Sequence, residues 1–262
     1  MTEDVKRDRW GRYVLPHPVT GEEQGWTRAT TLASTLSDDY NITAWKMRLV
    51  AQGIAANKNL RARIAATSEK AELNKVAQDA LAAAGGNERS EIGTALHSMT
   101  EMLDDPASEM ILSDFDEEWQ GDLLAYGAGV ETSGLTFTQI ERIVVCPDIE
   151  VAGTLDRIAL LDGVAFIADL KTGSTLTYSL MDIAIQLSIY ANATNMWDLE
   201  AEQYEDMPPV DREKGLVMHL PAGAGTFDLW EVDIKRGWEL AQLCVQVRAA
   251  RKENKKIGRL VK

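Results

Sequence analysis

The chain has 262 residues, 45% hydrophobic and 26% charged, a composition typical of globular proteins and ample for a buried core. Its two cysteines, Cys146 and Cys244, exclude a disulfide framework, a four-cysteine zinc site and a four-cysteine iron–sulfur cluster. No apolar run reaches the length of a membrane span and residues 1–12 are charged, so a cytoplasmic protein without a membrane partner is expected.

The net charge of −14 is unevenly spread. Residues 1–84 carry 12 Lys/Arg against 10 Asp/Glu, residues 85–234 carry 6 against 29, and residues 235–262 carry 9 against 2. An acidic middle suits cations and basic ends suit phosphates, although such surfaces can also be merely solvated.

Residues 12–15 and 25–27 flank a turn at 16–21 and predict a short hairpin. Trp26, Thr27 and Arg28 with Thr30 and Thr31 mark a helix start, either a plain N-cap or a roof over a cleft. Helices are predicted at 42–55, 58–66, 68–84, 88–104 and 114–131, the last capped by Asp114 and Glu117. After Gly134 the apolar period falls to two, which predicts strands at 135–146, 149–161 and 164–171. A helix at 178–196, strands at 215–220 and 227–233 and a helix at 235–253 complete the chain, with 201–213 as an exposed loop. The expected fold is α/β, one mixed sheet flanked by helices, after a helical N-terminal part.

The chemistry concentrates in residues 151–173. Asp162-Gly163 is a strong two-residue hairpin signal, because both positions tolerate the positive φ of a type I′ turn. Pairing Leu161 with Val164 then brings Asp156 opposite Asp169, with Lys171 on the same face. Two opposed carboxylates destabilise a ladder unless one is protonated, a lysine neutralises them, or a divalent cation bridges them. Oxygen ligands of this kind suit Mg²⁺ or Mn²⁺, and a neighbouring lysine suits an anionic substrate. If Pro147-Asp148 turns the preceding strand, Glu141 pairs with Thr154 and lies diagonal to Asp156. His97 and Glu101 share a helical face, as do Gln186 and Tyr190, and each pair can equally be ordinary packing.

Taken in order, G-T-A-L-H at 93–97, Glu141, G-T-L-D at 153–156, D-L-K-T-G at 169–173 and Q-L-S-I-Y at 186–190 resemble the RecB-type branch of the PD-(D/E)XK nucleases, which includes phage recombination exonucleases. The resemblance implies a single nuclease domain with a restriction-endonuclease-like core over 91–262 and a helical part, 1–90, lining the cleft. It implies metal carboxylates at Asp156 and Asp169, metal ligation by the Leu170 carbonyl and His97, and a catalytic Lys171 beside water or phosphate. Gln186 and Tyr190 would support the site and touch nucleic acid, and Glu141 would be a further acid. The implied cofactor is Mg²⁺ or Mn²⁺, without an iron–sulfur cluster. The implied partners are DNA and a strand-annealing protein or helicase, in the host cytoplasm if the chain is phage-encoded.

DNA contacts are expected from Arg28, Lys46, Arg48, Lys58, Arg61 and Arg63, and from Arg248, Arg251, Lys252, Lys255, Lys256 and Arg259. Two rivals remain: a catalytically silent nucleic-acid-binding protein of this fold, and a metal-dependent hydrolase of small phosphate esters. Neither a P-loop nor G-x-G-x-x-G is present, which argues against ATP hydrolysis.

Overall fold

The computed structural model describes residues 5–257, without the side chains of residues 254–256. The chain forms two compact units, one of residues 38–95 and one of the segments on either side. Residues up to Ser37 belong to the same unit as the sheet.

In the sheet unit, β1 (Val14–Pro16) and β2 (Glu23–Gly25) form an antiparallel ribbon. The chain then passes through β3 (Thr27–Arg28) into the short helix α1 (Ala29–Ala33). Trp26 is fully buried and its indole N–H donates to the Leu15 carbonyl, which fixes the ribbon to this entry. Arg28 is the residue before α1 and gives it no side-chain cap.

The second unit holds α2 (Tyr40–Ala56), α3 (Lys58–Ala65) and α4 (Lys70–Ala83) around Leu60, Val76 and Ala80. Asn57 caps α3 by accepting the Asn59 and Leu60 N–H groups.

Helix α5 (Glu88–Asp104) follows, with Leu96 onward belonging to the sheet unit. Helix α6 (Glu117–Ser133) starts after Asp116, two residues later than a start capped by Asp114 requires. Asp114 instead closes a 3₁₀ turn and accepts the Ile111 N–H at 2.9 Å.

The long strands are β4 (Thr136–Cys146), β5 (Val151–Leu161) and β6 (Val164–Lys171). After α7 (Leu180–Ala191) come β7 (Asn195–Asp198), β8 (Gln203–Asp206), β9 (Lys214–His219), β10 (Asp228–Asp233) and α8 (Ile234–Ile257). β7 and β8 correct the expectation of a helix to 196 and a loop over 201–213. Strands this short carry too few residues for a period, and β7 is selected by pairing with β4 through Ile143–Trp197.

The sheet order is β10-β9-β6-β5-β4-β7-β8. β6 and β9 are parallel, and β3 lies parallel on β5, whereas the other pairs are antiparallel. Helices α1, α7 and α8 share one core with the sheet, while α5 and α6 share another. Among the described residues no helix is long and apolar enough to cross a membrane.

Asp162 and Gly163 both have positive φ, 51° and 81°, and set the β5–β6 register from Leu161–Val164 down to Arg157–Ala168. The ladder ends there. On the same edge of β5, β3 pairs only with Val151 and Ala152, while β4 runs along the whole opposite edge. Residues Gly153 to Asp156 are thus left without a strand partner on one edge, and this gap carries the polar residues described next.

Candidate active site

At the gap, Asp156 and Asp169 stand one step beyond the last β5–β6 pair. With the ladder parted, the Leu170 N–H donates to Asp156 Oδ2 at 2.9 Å instead of to a strand carbonyl. His97 on α5 reaches the same oxygen with Nδ1 at 3.4 Å. Asp169 is 1% exposed, and its Oδ1 accepts a long hydrogen bond from Gln186 Nε2 at 3.4 Å. Its Oδ2 is ion-paired with the Lys171 ammonium and accepts no other hydrogen bond.

Burial pushes the Asp169 carboxyl up to about 6, with Lys171 pulling it down and Asp156 adding to the rise. For Lys171, burial disfavours the ammonium, but Asp169 and then Asp156 outweigh it and raise the pKa. The ammonium side chain remains 29% exposed, so this pair is open to solvent on one side.

Helix α7 closes the back of the gap. Gln186 donates to the Tyr190 hydroxyl at 3.1 Å, and Tyr190 lies against Gly153. A Cβ on Gly153 would stand 2.7 Å from Tyr190 Cε1 and 3.0 Å from the Ala29 Cβ, so only glycine lets the helix approach the strand. Thr154 shares a 2.6 Å hydrogen bond with the Tyr13 hydroxyl.

Helix α5 supplies His97, Glu101 and Asp104, one turn apart in succession along one face. Glu141 faces them from β4. The expected pairing of Glu141 with Thr154 is corrected: Thr154 pairs with Ile143, and Glu141 is level with Asp156 between the Ile140–Arg157 and Arg142–Leu155 pairs. The connection is a 3₁₀ turn at Pro147–Ile149 followed by Glu150, longer than a two-residue loop, and moves the register by two. The side chain keeps its face because the shift is even. Glu141 itself has φ of 49°, a strained value for this residue type.

Glu141 shares a hydrogen bond with Glu101. Burial, followed by the charges of Glu101 and Asp156, pushes the Glu141 carboxyl up to about 8, and burial also raises Glu101. Burial and mutual repulsion thus favour a proton shared between the two carboxyls.

Beneath this pair lies Arg157, 1% exposed. Its Nε donates to Asp104 Oδ2 at 2.8 Å and its Nη1 to the Asp156 carbonyl at 2.9 Å. The Tyr126 hydroxyl donates to the same Asp104 oxygen at 2.5 Å. Burial raises the Asp104 carboxyl, opposed by Arg157 and Tyr126.

The fold thus brings His97, Glu141, Asp156, Asp169, Lys171, Gln186, Tyr190 and the Leu170 peptide to one place. Arg28 is exposed before α1, and Lys46, Arg48, Lys58 and Arg61 are exposed in the helical unit. Arg63 is occupied by Glu72 and Asp79. On α8, Arg251 donates to the Thr35 carbonyl, whereas Arg259 and the side chains of Lys255 and Lys256 lie outside the described residues.

Sequence reasoning passed over Asp104, Tyr126 and Arg157. The signals were available: Asp104 continues the His97–Glu101 spacing by another turn, and Arg157 interrupts an apolar strand run.

Among the described residues no three His, Cys, Asp or Glu side chains converge tightly enough for a ready-made cation cage. The groups that could hold a hard cation are Asp156, Asp169 with its otherwise unpartnered Oδ2, and His97. No protein-family model matches the chain, and no curated protein matches it closely enough to count as a relative.

Proposed function

We propose that this chain is a metal-dependent deoxyribonuclease with a restriction-endonuclease-like core, most simply an exonuclease of phage-type recombination or DNA repair. The observation that carries the reading is the buried Asp169 carboxylate with Lys171 on one oxygen, beside Asp156 and His97 at a break in the sheet. Two carboxylates forced together at a strand end oppose folding stability, and that arrangement is characteristic of sites where charge is used.

The donor set fits Mg²⁺ or Mn²⁺ held by Asp156 and Asp169, with His97 and the Leu170 peptide bordering them. Such an ion, when bound, supplies an acidified water and neutralises charge on a phosphodiester. Lys171, a compact ammonium with a solvent-facing side, can stabilise hydroxide or the charge developing on phosphorus. Gln186, braced by Tyr190, holds the orientation of Asp169. Glu141, its carboxyl raised by burial and by Glu101, is a further acid beside the two aspartates. DNA, and a helicase or strand-annealing protein, are the partners of this reading.

The test is digestion of end-labelled linear DNA and closed circles with Mg²⁺, Mn²⁺ or EDTA. The expected result is metal-dependent loss of linear DNA with survival of circles. Metal-independent cleavage, or none of any substrate, contradicts the reading. Cleavage of nucleoside monophosphate esters in preference to polymer favours the small-ester hydrolase.

A further inference from the structure

The turn before β1 has chemistry that the centre at the gap does not explain. Asp8 is consumed within it, accepting the Trp10 and Arg12 N–H groups and the Arg12 side chain at 2.7 to 3.0 Å. The Gly11 N–H closes the turn on the Asp8 carbonyl, and the Arg7 guanidinium donates to the Gly11 carbonyl. The turn is therefore fixed by its own hydrogen bonds, and it holds Trp10 outward with 62% of its surface open. The guanidiniums of Arg9 and Arg12 lie 4.0 and 5.0 Å from the Trp10 ring centre. Arg7 lies 4.0 Å from the Tyr13 ring centre.

Charge on this turn is only partly balanced. Arg12 is paired with Asp8 and Lys6 with Glu23, whereas among the described residues no carboxylate pairs with Arg7 or Arg9. The position also matters. Tyr13, beneath Arg7, reaches Thr154 in the unpaired stretch of β5. Arg7, Tyr13 and Thr154 thus link the turn directly to the gap that holds Asp156.

The geometry points to this turn as a binding platform for an unpaired nucleic acid strand, with Arg7 and Arg9 meeting phosphates and Trp10 stacking on a base. Exposed guanidiniums complement a polyanion on an otherwise acidic chain, and an open indole rewards a base face that a duplex keeps covered. The inference rests on reading the neighbouring centre as a nuclease and names a single strand as what reaches it.

The experiment measures binding apart from cleavage. Full-length protein in EDTA is titrated into fluorescein-labelled oligothymidylate and into a duplex of the same length, read by anisotropy. Trp10→Ala is expected to weaken single-strand binding roughly tenfold and duplex binding less, with Trp10→Phe recovering most of the loss. Arg7→Gln with Arg9→Gln is expected to flatten the salt dependence of log K by about 1 to 1.5. Unchanged affinity and salt slope overturn the platform, as does a loss in Trp10→Ala that Trp10→Phe does not recover. If the wild type binds the strand through these residues yet cleaves no DNA, the nuclease reading fails and the platform stands.

Discussion

Two ion pairs flank Asp156, and they differ in what reaches them. Arg157–Asp104 is sealed, with side chains 1% and 7% exposed, and its hydrogen-bond partners are internal: Tyr126 and the Asp156 carbonyl. Lys171–Asp169 is buried on the carboxylate side and open on the ammonium side. A sealed pair stabilises one arrangement and has no route to a ligand. A half-open pair can part, leaving its carboxylate to a metal ion and its ammonium to water or a phosphate.

The largest expected effect comes from breaking the sealed pair. Arg157→Met leaves Asp104 buried without its cation and should cost about 3–5 kcal/mol of unfolding free energy, measured with denaturant. Adding Asp104→Leu should recover most of that loss, because a well-packed apolar pair often replaces a buried ion pair without penalty. Lys171→Met should behave in the opposite way. Its stability loss should stay near 1–2 kcal/mol, since solvent reaches the ammonium and Asp169 can take a proton, but cleavage should fall by about a hundredfold or more.

Next in size is Gly153→Ala. Its Cβ would press on Tyr190 and displace α7 from the gap, which should destabilise by about 1–3 kcal/mol in a thermal or denaturant melt.

A separate effect is expected from pH in metal-free buffer. Asp169 and Glu141 have folded-state pKa values of about 6 and about 8, above their ordinary values of 3.8 and 4.5. Between the ordinary and raised values the native state holds protons that the unfolded chain has released, so stability falls as pH rises. The melting temperature should therefore decline from pH 4 to beyond pH 8. Glu141→Gln should flatten the upper part of that decline, and an unchanged slope would show that Glu141 is not the group titrating.

The smallest is Tyr126→Phe, which removes one of two donors to Asp104 and should cost about 0.5–1.5 kcal/mol with cleavage preserved.

The open pair was far easier to read from sequence than the sealed one. Asp162-Gly163 fixes the register by local backbone chemistry, and that register alone aligns Asp156 with Asp169 and Lys171. Glu141 was located on the correct face but two residues out of register, because the Pro147–Ile149 turn has no two-residue hairpin geometry. The parting of β5 from β6, and the arrival of β3 on the same edge, are long-range pairings with no local signal. Arg157 and Asp104 are far apart in sequence, and their meeting depends on α5 lying across β5. β7 and β8 stayed hidden because four residues are too few to show a period.

The most direct measurement is calorimetric titration of the intact protein with Mn²⁺, comparing wild type with Asp156→Asn, Asp169→Asn and an exposed control, Glu22→Gln. If Asp156 and Asp169 jointly hold the ion, the wild type and the control bind alike and each aspartate variant loses at least about tenfold in affinity. A wild type that takes up no Mn²⁺, or aspartate variants that bind it as well as the control, would contradict the claim that this break in the sheet is a metal centre.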